Sequence, residues 1–505
     1  MEHVPIYDEL HIVSDLHLGG VEGFQIFDQG ETFARLVDSL RGILRAKRKI
    51  SPSSKVCLLI NGDLVDFLAE PGAVAFDPAG AVGKLKRILG DEAFAPVARA
   101  LREFVATPNR RLVITLGNHD LELALPWVRE HLLEDLSQGN DAARGRITLA
   151  FDGVGFRCRV GKANILCVHG NEVDPWNVTD FETLRRQGRD SFRGLGGSPD
   201  WVPNAGTQLV VKVMNDVKRE FPFVDLLKPE AEAVLPTLIA LKPKLMAKIP
   251  SLFPAALRRD AARIRMATGL LGSGRSPSGE PPAEFAEPDD SPPQFLAETF
   301  AFSESDERQI DVEHLLNLTE ERLLRNEQPI DLLSRGKWED FLGNWNAAWN
   351  LVTRKGTAEA LREALSTLKK DRSFQLDGPD PTCDRLDRLV GTEIHFLVAG
   401  HTHLERALRR FISKSFYYNT GTWVRLMGFS EAHLGSEETF REVFNALKAG
   451  TMAALDQVPG LVLRKPAVVS IRQQGDVVYG EMSRVSAPGK DPLLELLPGS
   501  RFEMR

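Results

Sequence analysis

Leu397-Val398-Ala399-Gly400-His401-Thr402-His403 places two imidazoles one residue apart at the end of an apolar run that begins at Ile394. A buried strand that ends on a metal reads this way: the apolar residues fill a core, and the chain then turns two nitrogen donors toward one point. His-x-His pairs occur in many loops, so the stretch draws its meaning from four upstream segments of the same design. These are Ser14-Asp15-Leu16-His17, Gly62-Asp63-Leu64-Val65-Asp66, Gly117-Asn118-His119-Asp120 and His169-Gly170-Asn171. Each follows a strand-like apolar run. Five of the eleven histidines fall inside these blocks, where random scatter would spread them along the chain.

The apolar runs preceding the blocks are Leu10 to Ser14, Lys55 to Asn61, Arg111 to Leu116 and Asn164 to Val168. Glu31 to Ile50 has helical spacing, with Phe33, Leu36, Val37, Leu40, Ile43 and Leu44 on one face and basic residues at its end. Asp91 to Ala106 reads as a second helix, and Phe156 to Val160 pairs with Asn164 to Val168 as a hairpin turned at Gly161-Lys162. Strands alternating with helices, with acidic or imidazole residues where the strands end, describe an α/β layered fold whose ligands bind outside the strand ends. From Trp176 to about Val390 the periodicity is mainly helical. Ser273 to Pro293 has the Pro, Ser, Gly and acidic composition of a mobile loop, and Trp338, Phe341, Trp345 and Trp349 mark a packing seam. The strand pattern resumes at Thr392 and includes Ser415 to Asn419, a helix at Glu437 to Lys448, and strands at Ala467 to Arg472 and Asp476 to Met482. The expected organisation is therefore a core from 1–175 and 391–485, a helical insertion or lid at 176–390, and a C-terminal tail at 486–505.

With 505 residues, 43% hydrophobic and 26% charged, the chain can bury a sizeable core. The net charge of −7 excludes a surface coated throughout for nucleic acid. Between Leu235 and Arg275, however, eight Lys/Arg face one acid, Asp260. That basic, apolar-interleaved segment suits a solvated lid, an anionic or lipid-like substrate, or peripheral contact with an anionic membrane, with nucleic acid ranked lower. Cys57, Cys158, Cys167 and Cys383 have no Cys-x-x-Cys spacing and read as buried free thiols of a reducing compartment. No basic leader or bilayer-length apolar run is evident, so the expectation is a cytoplasmic protein.

A binuclear hydrolase needs two cations roughly 3.5–4 Å apart, and so one ligand that reaches both. Asp63 is the natural bridge. Asp15, His17 and His403 complete one site, and Asn118, His169 and His401 the other. Two carboxylates leave the pair of cations with residual positive charge, which attracts a phosphate and lowers the pKa of a bridging water; that hydroxide then attacks phosphorus in line. His119 is positioned to act as acid or phosphate stabiliser, oriented by Asp66. Asp120 is expected to cap the helix starting at Leu121. Asn171 and Arg406 are expected to touch substrate. His11 and His395, inside apolar runs, are expected to be buried and hydrogen-bonded.

Together, Asp15-x-His17, Gly62-Asp63-x-x-Asp66, Gly117-Asn118-His119-Asp120, His169 and Gly400-His401-x-His403 resemble the calcineurin-like metallophosphoesterase superfamily. Tyr418-Asn419-Thr420-Gly421-Thr422-Trp423 is similar to the segment closing the core in many of its members. The resemblance implies a four-layer αββα sandwich of two mixed sheets, two divalent metal ions (manganese first, with iron, zinc or magnesium as alternatives) and an Asp66–His119 acid dyad. The insertion resembles in placement the lid of the UDP-2,3-diacylglucosamine pyrophosphatases, although it is far longer and His119 stands where those enzymes usually have an arginine. The double-strand-break repair nucleases share the five blocks but carry their capping domain after the last histidine pair. The expectation is a phosphoesterase or pyrophosphatase for a phosphorylated small-molecule or lipid-like substrate. A repair-type nuclease and a non-catalytic scaffold are the alternatives.

Overall fold

Glu9–Val13 and Val56–Asn61 are apolar without alternation and buried along their whole length, the mark of strands covered on both faces. The structure, a computed structural model, describes residues 4–43, 50–174, 177–196, 201–227, 357–366 and 374–504. The expectations for a lid across 228–356, for its loop at 273–293, for its basic segment and for its tryptophan seam lie outside the described residues.

In chain order the strands are β1 (Ile6–Tyr7), β2 (Glu9–Val13), β3 (Val56–Asn61), β4 (Arg110–Thr115), β5 (Ile147–Ala150), β6 (Phe156–Val160), β7 (Ala163–Cys167) and β8 (Phe396–Ala399). They continue with β9 (Glu405–Arg409), β10 (Phe416–Thr420), β11 (Arg425–Met427), β12 (Val462–Arg464), β13 (Ala467–Gln474), β14 (Val477–Val485), β15 (Leu494–Leu496) and β16 (Phe502–Met504). One sheet runs β1-β6-β7-β8-β10-β9. The other runs β15-β14-β13-β2-β3-β4-β5, with β16 on β14, and β11 and β12 form a small ribbon. Both large sheets are mixed: β2, β3, β4 and β5 are parallel neighbours, as are β7 and β8, and antiparallel strands extend each sheet.

Side-chain alternation makes the layers. Leu10, Ile12, Cys57, Leu59 and Val113 point inward and meet Cys158, Ile165, Phe396, Val398 and Tyr418 of the other sheet. The intervening Leu58, Ile60, Leu112 and Ile114 point outward. That outer face is covered by helices α1 (Gly30–Arg41), α2 (Ala81–Gly90), α3 (Ala95–Ala106) and α4 (Pro126–Ser137), which contribute Phe33, Leu36, Ile88, Leu101, Phe104 and Leu132. On the other sheet, Leu397, Ala399 and Tyr417 face Cys383 and Leu386 of the helix Pro381–Leu389. The result is the expected αββα sandwich. His11 is buried and held by Ser470 and Glu9, as expected, whereas His395 accepts from Asn164 N but is only partly buried. All four cysteines are free and buried.

The chain divides into two compact units. One is Met1–Leu226, Arg372–Met427 and Val462–Arg505; the other is Leu227–Asp371 and Gly428–Leu461. The seams thus fall at 226 and 372, where 176 and 390 were expected. Phe223, Val224 and Leu226 bury themselves in the first unit, and the helix Pro381–Leu389 covers a sheet face. The helix Glu437–Ala449, expected within the core, belongs to the second unit. The expected tail at 486–505 is sheet: β15 and β16 pair with β14, and Phe502 stacks on Phe416 at 4.7 Å. The first helix stops at Arg41 because Gly42 turns left-handed, and the expected helix Asp91 to Ala106 is α3, which starts at Ala95 after α2 has ended at Gly90. Among the described residues no helix is long and apolar enough to cross a membrane.

Candidate metal centre

The five sequence blocks meet where β2, β3, β4, β7 and β8 end, all within the first unit. The loops turn so sharply that Asp15 (φ 54°), His17 (47°), Asp63 (51°), His401 (71°) and His403 (61°) all adopt left-handed backbone conformations. Such conformations cost of order 1–3 kcal/mol each in non-glycine residues, and they persist only where surroundings hold them. The first two loops hold each other: Asp15 N donates to Gly62 O at 3.2 Å, His17 N to Asp63 O at 2.9 Å and Leu18 N to Leu64 O at 3.0 Å. Gly400 and Gly117 permit the close approach. A Cβ on Gly400 would sit 2.4 Å from Ser14 Oγ, and one on Gly117 2.1 Å from Asp63 Oδ1.

Asp15, His17 and His403 form one group. His403 Nε2 lies 3.3 Å from Asp15 Oδ1 and 3.1 Å from His17 Nε2. Asp63 joins this group to the next, since its Oδ2 is 3.5 Å from His17 Nε2 and 3.2 Å from His169 Nε2. Asp63 is the carboxylate expected to bridge. Two of the imidazoles are aimed by their other nitrogen: His169 donates from Nδ1 to Asn61 O at 2.8 Å, and His17 Nδ1 faces Asp66 Oδ2 at 3.4 Å. Asn118 is 4% exposed, and its Oδ1 has no hydrogen-bond partner. His401 lies beside His169, ring centroids 5.4 Å apart, but its Nε2 is taken by Asp174 Oδ2 at 2.7 Å. It therefore stands outside the carboxylate–imidazole groups as closely as these are drawn. Asp66 Oδ1 accepts from Leu68 N and Ala69 N, which leaves Oδ2 between His17 and His119, the latter at 3.2 Å from Nδ1. The expected Asp66–His119 pair is thus brought together, with His17 on the same carboxylate.

Burial penalises each of these charges, and their neighbours reverse the penalty. It would raise the Asp15, Asp63 and Asp66 carboxyls, yet the surrounding histidines hold all three well below the usual range. It would lower the imidazoles, yet the carboxylates hold His17 well up, raise His119 and push His169 up to about 10. Three buried carboxylates in contact with imidazoles demand positive charge, which protons supply when nothing else does. The chemistry fits divalent cations better. The donors are oxygen and imidazole nitrogen, two Nε2 atoms face each other at 3.1 Å, and Asn118 Oδ1 and His169 Nε2 are buried without a hydrogen bond.

Other expectations are corrected by placement. Asp120 makes no cap bond to the short helix after it. Its carboxylate instead accepts from Gly117 N at 2.7 Å and Leu64 N at 2.9 Å, tying the Asn118 loop to the Asp63 loop. Burial, then Asp63, pushes its carboxyl up to about 7. Asn171 is fully buried and donates to Asn177 O and Thr179 Oγ1. Arg406, 3% exposed, spends its guanidinium on the carbonyls of Pro379, Gln375 and Glu405. Both are bonded into the wall, where substrate contact was expected. Residues passed over in the sequence reading hold the centre from behind. Ser14 Oγ and Thr420 Oγ1 bond to each other, with Ser14 also on Asp15. Thr422 Oγ1 donates to Asp15 O at 2.8 Å, and Asn419 donates to Gly400 O at 2.7 Å. The small polar residues after a strand carry no signal of their own until the strands are aligned.

A family model described as calcineurin-like phosphoesterase matches residues 10–221. No curated protein matches the chain. The match spans four of the five blocks, and the fifth, Gly400-His401-Thr402-His403, reaches the same centre through β8. The carboxylate–imidazole clusters support metal-dependent phosphoester chemistry in general. Together with the mixed-sheet sandwich and the clustered Asp and His donors, this match supports a calcineurin-like phosphoesterase domain over residues 10–221, of the metallophosphoesterase superfamily.

Proposed function

We propose that the protein is a two-metal hydrolase of phosphoester or pyrophosphate bonds, with a phosphorylated small molecule or lipid-like compound as substrate and the cytoplasm as its compartment. The single observation carrying this reading is the position of Asp63, whose Oδ2 lies between His17 and His169 and so belongs to two donor groups at once. Asp15, His17 and His403 would hold one cation, Asn118, His169 and His401 the other, and Asp63 both; manganese suits these mixed oxygen and nitrogen donors. When bound, the cations supply Lewis-acid polarisation of the phosphoryl group and an activated water for in-line attack.

The chain's own residues do the remaining work. His119 has the most exposed side chain among the proposed ligands and the dyad, 21%, which suits it to meet a phosphate at the centre. Burial disfavours its charge, but Asp66 and Asp63 raise its pKa, so it carries a proton to donate to the leaving oxygen or to pair with phosphoryl charge. Asp66 keeps that ring aimed and is itself fixed by two backbone amides. The test is hydrolysis of a panel of aryl phosphate mono- and diesters, nucleotide pyrophosphates, phospholipids and single-stranded DNA by Mn²⁺-loaded protein, beside the His119→Ala variant. Turnover of at least one ester, abolished by the variant, supports the reading. Inertness toward the whole panel by a protein carrying two metals per chain refutes it.

A further inference from the structure

One ring nitrogen of His401 is already engaged. Nε2 sits 2.7 Å from Asp174 Oδ2, and the same oxygen accepts from Asn177 Nδ2 at 2.7 Å. Asn177 is the hub of this wall. Its carbonyl accepts from the side chains of Asn171 and Asn204, its backbone N–H donates to Asp174 O at 3.2 Å, and its Oδ1 lies 3.5 Å from Asn118 Nδ2. Two of the proposed ligands of one cation, His401 and Asn118, are thus tied to one short turn.

A carboxylate accepting from one imidazole nitrogen fixes the tautomer and orientation of the ring and leaves the other nitrogen with its lone pair. An amide donating from its nitrogen likewise turns its oxygen away, and Asn118 Oδ1 is the buried oxygen without a hydrogen-bond partner. We infer that Asp174 is a positioning residue that selects Nδ1 of His401 as the metal donor and, through Asn177, aims Asn118 Oδ1 at the same cation. The inference rests on the two-metal reading above and adds to it which donor atoms are used and what holds them. Asp174 touches neither substrate nor reacting atoms in this role.

The experiment is titration of metal-free protein with Mn²⁺, followed by the electron paramagnetic resonance signal of the free ion, for wild type, Asp174→Ala, Asp174→Asn and Asn177→Ala. Wild type takes up two ions. Asp174→Ala keeps one at wild-type affinity and binds the other about 10–100-fold more weakly. Asp174→Asn recovers most of the loss, because an amide oxygen accepts the same imidazole N–H. Asn177→Ala weakens the same ion and covers the case in which Asp174→Ala does not fold. In Co²⁺-substituted protein, a paramagnetically shifted imidazole N–H proton is protected from exchange in wild type and lost in Asp174→Ala, a change that general loosening would not confine to one resonance. Two ions bound with unchanged affinities in Asp174→Ala would overturn the inference and leave the two-metal reading standing. A wild type that takes up no ion would overturn both.

Discussion

Loading the centre with Mn²⁺ should expel two protons at pH 7.5. In the metal-free protein His169 is held up to about 10 and His17 well above its ordinary value. Burial opposes the charge on both, but Asp63 with Asp15 outweighs it at His169, and Asp15, Asp63 and Asp66 do so at His17. Both imidazoles therefore carry a second proton at neutral pH, and a nitrogen must shed it to ligate. Each released proton makes affinity rise tenfold per pH unit, so two give about 100-fold, or ~2.7 kcal/mol per unit. Isothermal titration calorimetry in several buffers at one pH reads the number directly, as the slope of apparent enthalpy against buffer ionisation enthalpy. Repeating it from pH 6.5 upward should show the steep gain in affinity flattening as pH approaches about 10, where His169 loses its extra proton unaided. The same groups set the stability of the metal-free form. A histidine with a raised folded-state pKa contributes its full stabilisation below the unfolded value of roughly 6.5, and that contribution is lost as pH rises through the folded one. Metal-free protein should accordingly melt at a lower temperature at pH 9 than at pH 7, and metal-loaded protein should not show this loss. A slope of zero protons would mean that the imidazoles are neutral before metal arrives, and would refute the charge balance drawn from the buried carboxylates.

His119→Ala should lower kcat by about 10²–10⁴-fold with two metals still bound, as read by steady-state kinetics beside elemental analysis. Gly400→Ala would drive a methyl to 2.4 Å from Ser14 Oγ and 2.6 Å from Asp15 Oδ2, so metal stoichiometry should fall while far-ultraviolet circular dichroism stays unchanged. Asp120→Asn replaces one accepting oxygen with an NH2 donor that faces the backbone donor of Gly117 or Leu64 and should destabilise the protein by about 1.5–3 kcal/mol in denaturant titration; an effect within error would remove the clamp assigned to it. Trp423→Ala empties a buried indole that packs on Phe33 and donates to Ala467 O, at a cost of about 3–5 kcal/mol in the same assay.

The parallel strands were legible because strands covered on both faces are written as unbroken apolar runs, and Val56–Asn61 and Phe396–Ala399 fall within a residue or two of where those runs stop. Short or mixed elements were not. Ile6–Tyr7 and Ile147–Ala150 are too brief for a period to declare itself, and Glu405–Arg409 is an edge strand whose charged residues read as loop. The tail escaped notice for the same reason: three-residue strands such as Phe502–Met504 exist because β14 offers an edge to pair with, which local propensity does not encode.

What the residues determined by themselves was the chemistry. Imidazole, carboxylate and amide at the ends of five apolar runs name a metal centre, because those donors suit few other purposes in that pattern. Tertiary structure alone decided which of them share an atom's neighbourhood. Asp63 reaches two donor groups because β3 lies between β2 and β4 and its loop meets His169 from the other sheet. Asp120 is a clamp because Leu64 and Gly117 both turn their amides to it, while the Asn171 amide nitrogen and the Arg406 guanidinium are spent on neighbouring protein oxygens. The physical reason is range. Donor identity is local and survives in the sequence, whereas coordination and hydrogen bonding act over about 3 Å between residues that can be hundreds of positions apart, 386 for His17 and His403.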